Sequence, residues 1–225
     1  MRRVDGLIMA GGRGSRFGAG EKPLVRVNGR PMIDYVAAAM SQARLVRRVY
    51  ATVTPHTPKT AEHLEEAWRG RITLIETPGV GYVEDLKHLV AQIRFSAILV
   101  CPADMPLLRG DLLDLVAKFF LTGGKPSLVV VVPLRLVTSL GLEPTLVMNI
   151  GGEDFVPSGV NALNGVEAAS GKVLEECYLK VGLEEFAVNV NTINDLEVAE
   201  KLLSQKGWQR LRSSCQRPMK KSMNL

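Results

Sequence analysis

Aromatic side chains are scarce, at 5 % of the 225 residues, and no basic helix is interleaved with stacking rings, so the usual platform for single-stranded nucleic acid is missing. Cysteine is scarce too. Cys101, Cys177 and Cys215 are odd in number and widely spaced, which excludes a disulfide framework and any zinc-ligand spacing and fits a reducing cytoplasm. The three histidines, His56, His63 and His88, stand outside every motif described below, and there is no H-E-x-x-H. Long apolar runs are absent. Runs such as residues 128–132 are far too short to cross a bilayer. Met-Arg-Arg leads directly towards a strand, with no apolar leader or small-residue cleavage site. A cytoplasmic protein with no membrane partner is expected.

Basic charge is what the chain has in excess, at +5 with a pI near 9.2. Part of it lies in Arg210, Arg212, Arg217, Lys220 and Lys221. Nucleic-acid binding by that basic end stays open, but attraction to anionic small molecules explains the balance equally well.

The apolar pattern alternates between strand and helix. Strands are expected at 4–9, 49–53, 72–75, 97–101, 127–132 and 186–190. Helices are expected at 31–44, 59–68, 83–93, 110–121 and 193–206. The strands are nearly continuously apolar, which argues for an open, mostly parallel (mixed) α/β sheet with helices on both faces. Residues 133–184 carry glycine pairs and short apolar pieces without a regular period. One domain over 1–207 is expected, followed by a basic, flexible tail at 208–225.

The first strand runs into Ala10-Gly11-Gly12-Arg13-Gly14-Ser15-Arg16-Phe17-Gly18, and then Glu21-Lys22-Pro23. The dinucleotide fingerprint fails because Phe17 stands where its third glycine belongs. The P-loop fails because Glu21 and Pro23 flank Lys22. What remains is a glycine-rich loop whose N–H groups can cradle an anion, with Arg13, Arg16 and Lys22 as fixed charge. This loop reads as a seat for a triphosphate.

Other polar residues fall at the same ends of the expected strands, where open α/β sheets bind ligands. Asp104, in Cys101-Pro102-Ala103-Asp104-Met105-Pro106, is either a turn aspartate or a ligand for Mg²⁺, which takes carboxylate and phosphate oxygens. Asn191 is either an Asx turn or a second metal ligand. Gly79-Val80-Gly81-Tyr82-Val83-Glu84-Asp85 suits a base pocket. A carboxylate there, Glu84 or Asp85, can accept both donors on the guanine edge, although first-turn acids also stabilise a helix start. Pro157-Ser158-Gly159 reads as a tight turn before Asn161, which either caps the turn or makes a polar contact.

The first motif resembles the signature of the nucleotidyltransferases that make molybdopterin-guanine dinucleotide, with Phe17 in place of Met. The segments 79–86, 156–161 and 189–196 are similar, in the same order, to guanylyltransferases of cobalamin biosynthesis, and the likeness spans roughly residues 4 to 207. It implies a Rossmann-like, GT-A-like architecture and transfer of GMP from GTP to adenosylcobinamide phosphate with Mg²⁺. It further implies GTP contacts at residues 10–16, Lys22, Gly79, Gly81, Tyr82, Glu84 and Asp85. Arg16, Lys22 and Asp104 would be catalytic, with metal at Asp104 and Asn191. Ribose or acceptor contacts would come from Pro157, Gly159 and Asn161. The partners would be small molecules, with a homodimer allowed. A phosphate monoester is largely dianionic at neutral pH, so no histidine base is needed. Three alternatives stay open: a molybdenum-cofactor or sugar-phosphate acceptor, a silent nucleotide sensor, and a nucleic-acid-binding module.

Overall fold

A computed structural model describes residues 2–12, 20–93 and 95–205. Arg13, Gly14, Ser15 and Arg16 of the first loop, and the whole of the tail expected at 208–225, lie outside the described residues.

The alternation read from the sequence is present. The parallel strands are β1 (Val4–Met9), β4 (Val46–Val53), β5 (Ile72–Glu76) and β6 (Ala97–Pro102). Between and after them come α1 (Met32–Gln42), α2 (Pro58–Ala67), α3 (Tyr82–Gln92) and α4 (Gly110–Gly123). A short ribbon of β2 (Arg26–Val27) and β3 (Arg30–Pro31) precedes α1.

The stretch without a legible period holds the remainder of the sheet. After β7 (Ser127–Pro133) come α5 (Leu134–Ser139), β8 (Met148–Ile150), β9 (Glu153–Asn164), α6 (Gly165–Ala169) and β10 (Glu176–Lys180). The sheet order is β10-β7-β9-β6-β1-β4-β5, with β8 on β9. β9 runs antiparallel between β6 and β7, which makes the sheet mixed.

Two expectations are corrected. Residues 186–190 alternate like a strand, but α7 (Glu184–Ala187) takes the first part, and the rest is extended without sheet pairing. The alternation reflects burial alone: Phe186, Val188 and Val190 are all fully buried. Their backbone N–H groups go to Leu183 O, Glu184 O and Asp104 O instead of to a neighbouring strand. The chain then enters α8 (Ile193–Gln205). The turn expected at Pro157-Ser158-Gly159 is a bulge inside β9. Val129 pairs with Asn161 and Val131 with Pro157, so β9 spends four steps where β7 spends two. Gly159 has φ +88° there, and a Cβ would stand 3.0 Å from Pro102 Cγ. Glycine meets both demands.

Two apolar clusters cover the sheet. The larger joins β1, β4, β6 and β7 to α1 and α4. The smaller joins Leu7, Tyr50, Ile98 and Val100 to Leu89 and Val90 of α3 on the opposite face. Asp5, which interrupts the first apolar strand, is fully buried. Arg47 Nε and Nη2 donate to its two oxygens at 2.9 and 2.7 Å, and this bidentate pairing is what makes a buried carboxylate tolerable. Among the described residues, no helix is long and apolar enough to cross a membrane.

Candidate active site

The site is built where β1, β4, β5 and β6 end. β1 is held on both sides: Ala10 N donates to Thr52 O at 3.2 Å, and Ala103 N donates to Met9 O at 3.1 Å. Gly11 and Gly12 follow. Around Gly12 a Cβ would meet nothing within 4 Å, whereas at Gly11 it would collide with Thr54 Cγ2 at 2.3 Å.

The chain returns at Glu21. Its carboxylate accepts from Lys59 N at 2.8 Å, Thr60 N at 2.6 Å and Thr60 Oγ1 at 2.6 Å. Glu21 therefore caps the N-terminus of α2 from a distant part of the chain, satisfying N–H groups the helix cannot satisfy itself. This fixes the backbone one residue before Lys22. Lys22 begins a single 3-10 turn with Pro23 buried beneath it.

Lys22 Nζ donates to Asp104 Oδ2 and, at 2.8 Å, to Asn191 Oδ1. Both oxygens are rigidly presented. Val190 N donates to Asp104 O at 2.9 Å, tying the two loops together. Asn191 Nδ2 donates to Asn189 O at 3.2 Å, which aims Oδ1 at the lysine. Asp195 Oδ2 accepts from both Asn191 N and Thr192 N at 2.8 Å. The other Asp104 oxygen, Oδ1, is buried and has no hydrogen-bond partner among the described residues. A buried orphan lone pair on a carboxylate is costly and suits a cation ligand.

The segment expected as a base pocket flanks this corner. Gly79 (φ +73°) and Gly81 (φ +144°) shape it. Asp85, buried, accepts from Gly79 N at 2.8 Å, so one of its oxygens is committed to its own loop. Glu84 is 59 % exposed and pairs with Lys87 at 2.7 Å, a surface contact of small worth that leaves the carboxylate available. The Tyr82 hydroxyl accepts from Asn161 Nδ2 at 3.3 Å. Desolvation holds that phenol above its ordinary value, against a downward pull from Asn161. Asn161 also donates to Gly159 O at 3.3 Å, so the Pro157–Asn161 bulge meets the Tyr82 loop.

The structure thus brings together Ala10, Gly11, Gly12, Lys22, Gly79, Gly81, Tyr82, Asp85, Asp104, Asn161 and Asn191 at one edge of the sheet. Pro157 and Gly159 reach it through the bulge, and Glu84 stands at its rim.

The family model that matches residues 6–142 is the MobA-like NTP transferase domain. The chain belongs to this family. It is 32 % identical to the adenosylcobinamide-phosphate guanylyltransferase of Methanocaldococcus jannaschii over 91 % of this chain and 100 % of that one. It is 25 % identical to a probable molybdenum cofactor guanylyltransferase of Thermococcus kodakarensis, over 85 % of this chain and 91 % of that one. In fold it resembles a CMP:2-keto-3-deoxy-manno-octonic acid synthetase, with a TM-score of 0.71 and 15 % identity over 92 % of this chain and 100 % of that one. Membership of the MobA-like family makes the chain a nucleotidyltransferase, with the single α/β domain and mixed sheet of that architecture.

Sequence reasoning missed two residues of this MobA-like site. Glu21 was legible only as an acid beside Lys22. Thr54 carried no motif at all. His56, read as lying outside every motif, sits with Cδ2 3.0 Å from the place of a Gly79 Cβ.

Proposed function

We propose that the chain transfers GMP from GTP to adenosylcobinamide phosphate in the cytoplasm, releasing pyrophosphate. The support is the meeting of Lys22 with Asp104 and Asn191 beyond the strand ends, joined to a full-length likeness to a protein named for that reaction.

Each residue has a task in this reading. Backbone N–H groups of Gly11 and Gly12 meet the triphosphate, and the sequence motif gives Arg13, Gly14, Ser15 and Arg16 a share in that role. Lys22 and Arg16 offset charge at the α-phosphoryl group and on the departing pyrophosphate. Gly79, Gly81 and Tyr82 wall the base, and Glu84 and Asp85 supply the acceptors that distinguish guanine from adenine. Pro157, Gly159 and Asn161 face the ribose or the acceptor.

Mg²⁺ fits the corner of Asp104 and Asn191. The orphaned Asp104 Oδ1 and the Asn191 amide oxygen are hard donors of the kind it prefers and would hold it together with substrate phosphates and waters. No group of three or more His, Cys, Asp or Glu is gathered for a metal among the described residues, so in this reading much of the shell would have to come from the nucleotide. Bound there, it supplies charge neutralisation at the phosphate oxygens.

The acceptor phosphate is already dianionic near neutral pH. The protein has no proton to remove and works by alignment for in-line attack on the α-phosphorus.

The test is pyrophosphate release with Mg²⁺ and adenosylcobinamide phosphate, comparing GTP with ATP, CTP and UTP. Release with GTP alone and only with the acceptor is expected. Release with GTP and a molybdopterin acceptor instead would replace the corrinoid reading.

A further inference from the structure

We propose that Thr54 is a positioning residue that locks the Gly11 loop and the Gly79 loop into one nucleotide-binding geometry. The proposal rests on the reading that both loops contact GTP.

β4 lies between β1 and β5 in the sheet. Its end is therefore the one strand end flanked by both the Gly11 loop, which follows β1, and the Gly79 loop, which follows β5. Thr54 stands there, 5 % exposed. Its Oγ1 donates to Gly11 O at 3.1 Å and accepts from His56 N at 3.2 Å. The one hydroxyl proton is thereby assigned to Gly11, and the turn 54–57 supplies the second bond.

Its carbon atoms meet both glycines. A Cβ on Gly11 would stand 2.3 Å from Thr54 Cγ2, and a Cβ on Gly79 would stand 3.0 Å from Thr54 Cβ and 3.3 Å from Cγ2. Gly11 has no positive φ, so among the described residues the atoms that a Cβ there would meet first are those of Thr54.

The wedge is itself immobile. Thr54 N donates to Thr57 Oγ1 at 3.0 Å, and Thr57 N donates back to Thr54 O at 2.9 Å. Thr57 is fully buried. Oγ1 and Cγ2 are both bonded to Cβ, so one rotation about χ1 moves hydroxyl and methyl together. Releasing Gly11 O would swing the methyl out of its place against Gly79. The phosphate-side loop and the base-side loop are thus held at a fixed separation before the ligand arrives, which lowers the ordering cost of binding.

Three variants separate the parts. Thr54→Val removes the hydroxyl and keeps the shape. Thr54→Ser keeps the hydroxyl and removes the methyl. Thr54→Ala removes both. GTP affinity is measured by calorimetry, and KM for GTP and for the acceptor by pyrophosphate release. The alanine variant is expected to bind GTP roughly tenfold or more weakly, with KM for GTP raised by a similar factor, the size of one to two lost contacts of this kind. Serine and valine should each restore part of it, with kcat and the acceptor KM nearly unchanged. A purely structural role would lower melting temperature and active fraction and leave KM for GTP where it was. That result, in either Thr54→Ala or the milder Thr54→Ser, overturns the assignment. Wild-type protein that binds no GTP would instead remove the functional reading, and this assignment with it.

Discussion

Replacing Lys22 by methionine tests the cation corner directly. The substitution keeps the unbranched stem, one atom shorter, and removes the ammonium group. Lys22 and Asp104 are only 16 % and 15 % exposed, and Asp104 Oδ1 already lacks a partner. Without the ammonium the carboxylate has no donor on either oxygen among the described residues. Stripping one member from a fully buried pair costs about 3–5 kcal/mol. With some water access the loss here is about 2 kcal/mol, a fall of roughly 4–8 °C in Tm for a chain of this size. A divalent cation can then take the ammonium's place. At ten times its Kd it should return about 1.4 kcal/mol by linkage, roughly 3–6 °C. The assay is thermal melting with and without Mn²⁺, in the absence of nucleotide. Without nucleotide to complete a metal's shell, wild type, whose lysine already pairs with Asp104 Oδ2 and Asn191 Oδ1, should respond much less than Lys22→Met. Pyrophosphate release should fall by roughly a hundredfold or more, the usual loss for one charge-stabilising group. Equal melting temperatures and equal responses to Mn²⁺ would refute the idea that these three side chains define one cation seat.

The remaining predictions concern the supports of that corner. Glu21→Ala removes three accepted bonds at the start of α2 and should cost about 1–2 kcal/mol in urea unfolding while raising KM for GTP, with an unchanged KM excluding Glu21 as the anchor of Lys22. Gly79→Ala places a Cβ at φ +73° and 3.0 Å from Thr54 Cβ and His56 Cδ2, so about 1–3 kcal/mol should be lost; a neutral substitution would show that the loop is free to move. Glu84→Gln should narrow the preference for GTP over ATP by roughly tenfold or more at unchanged stability, whereas Asp85→Asn, which disturbs the bond to Gly79 N, should lower stability as well. Burial pushes the Cys101 thiol well above its ordinary value, so the native protein keeps a proton that the unfolded chain releases above about pH 9; stability should fall there by up to about 1.4 kcal/mol per pH unit, and a Cys101→Ala variant with the same slope from urea titrations at pH 8 and 10 would assign the loss elsewhere.

Parallel strands buried on both faces announce themselves as continuous apolar runs, and this is why β1, β4, β6 and β7 were legible, whereas β5, an edge strand with Thr73 and Glu76 exposed, was legible from a short apolar run alone. β9 was not. Its pattern is broken by Pro157 and Gly159, residues that normally argue against a central strand, and its neighbours β6 and β7 are brought beside it only by the folded sheet. The run 186–190 misled in the opposite way, because periodic burial was present without strand pairing.

The sequence by itself determined the succession of strands and helices, the glycine-rich loop with its charges, and the arrival of Gly11, Gly79 and Asp104 at one edge. Strand direction alone carries the chain to that edge, so local pattern was enough. Only the tertiary structure decided which groups hold the site in shape: Glu21 on the start of α2, Thr54 between two glycines, and Asn161 against Tyr82 across the bulge. Each is a contact between segments distant in sequence, made by ordinary side chains, and its meaning depends on what packing places against it.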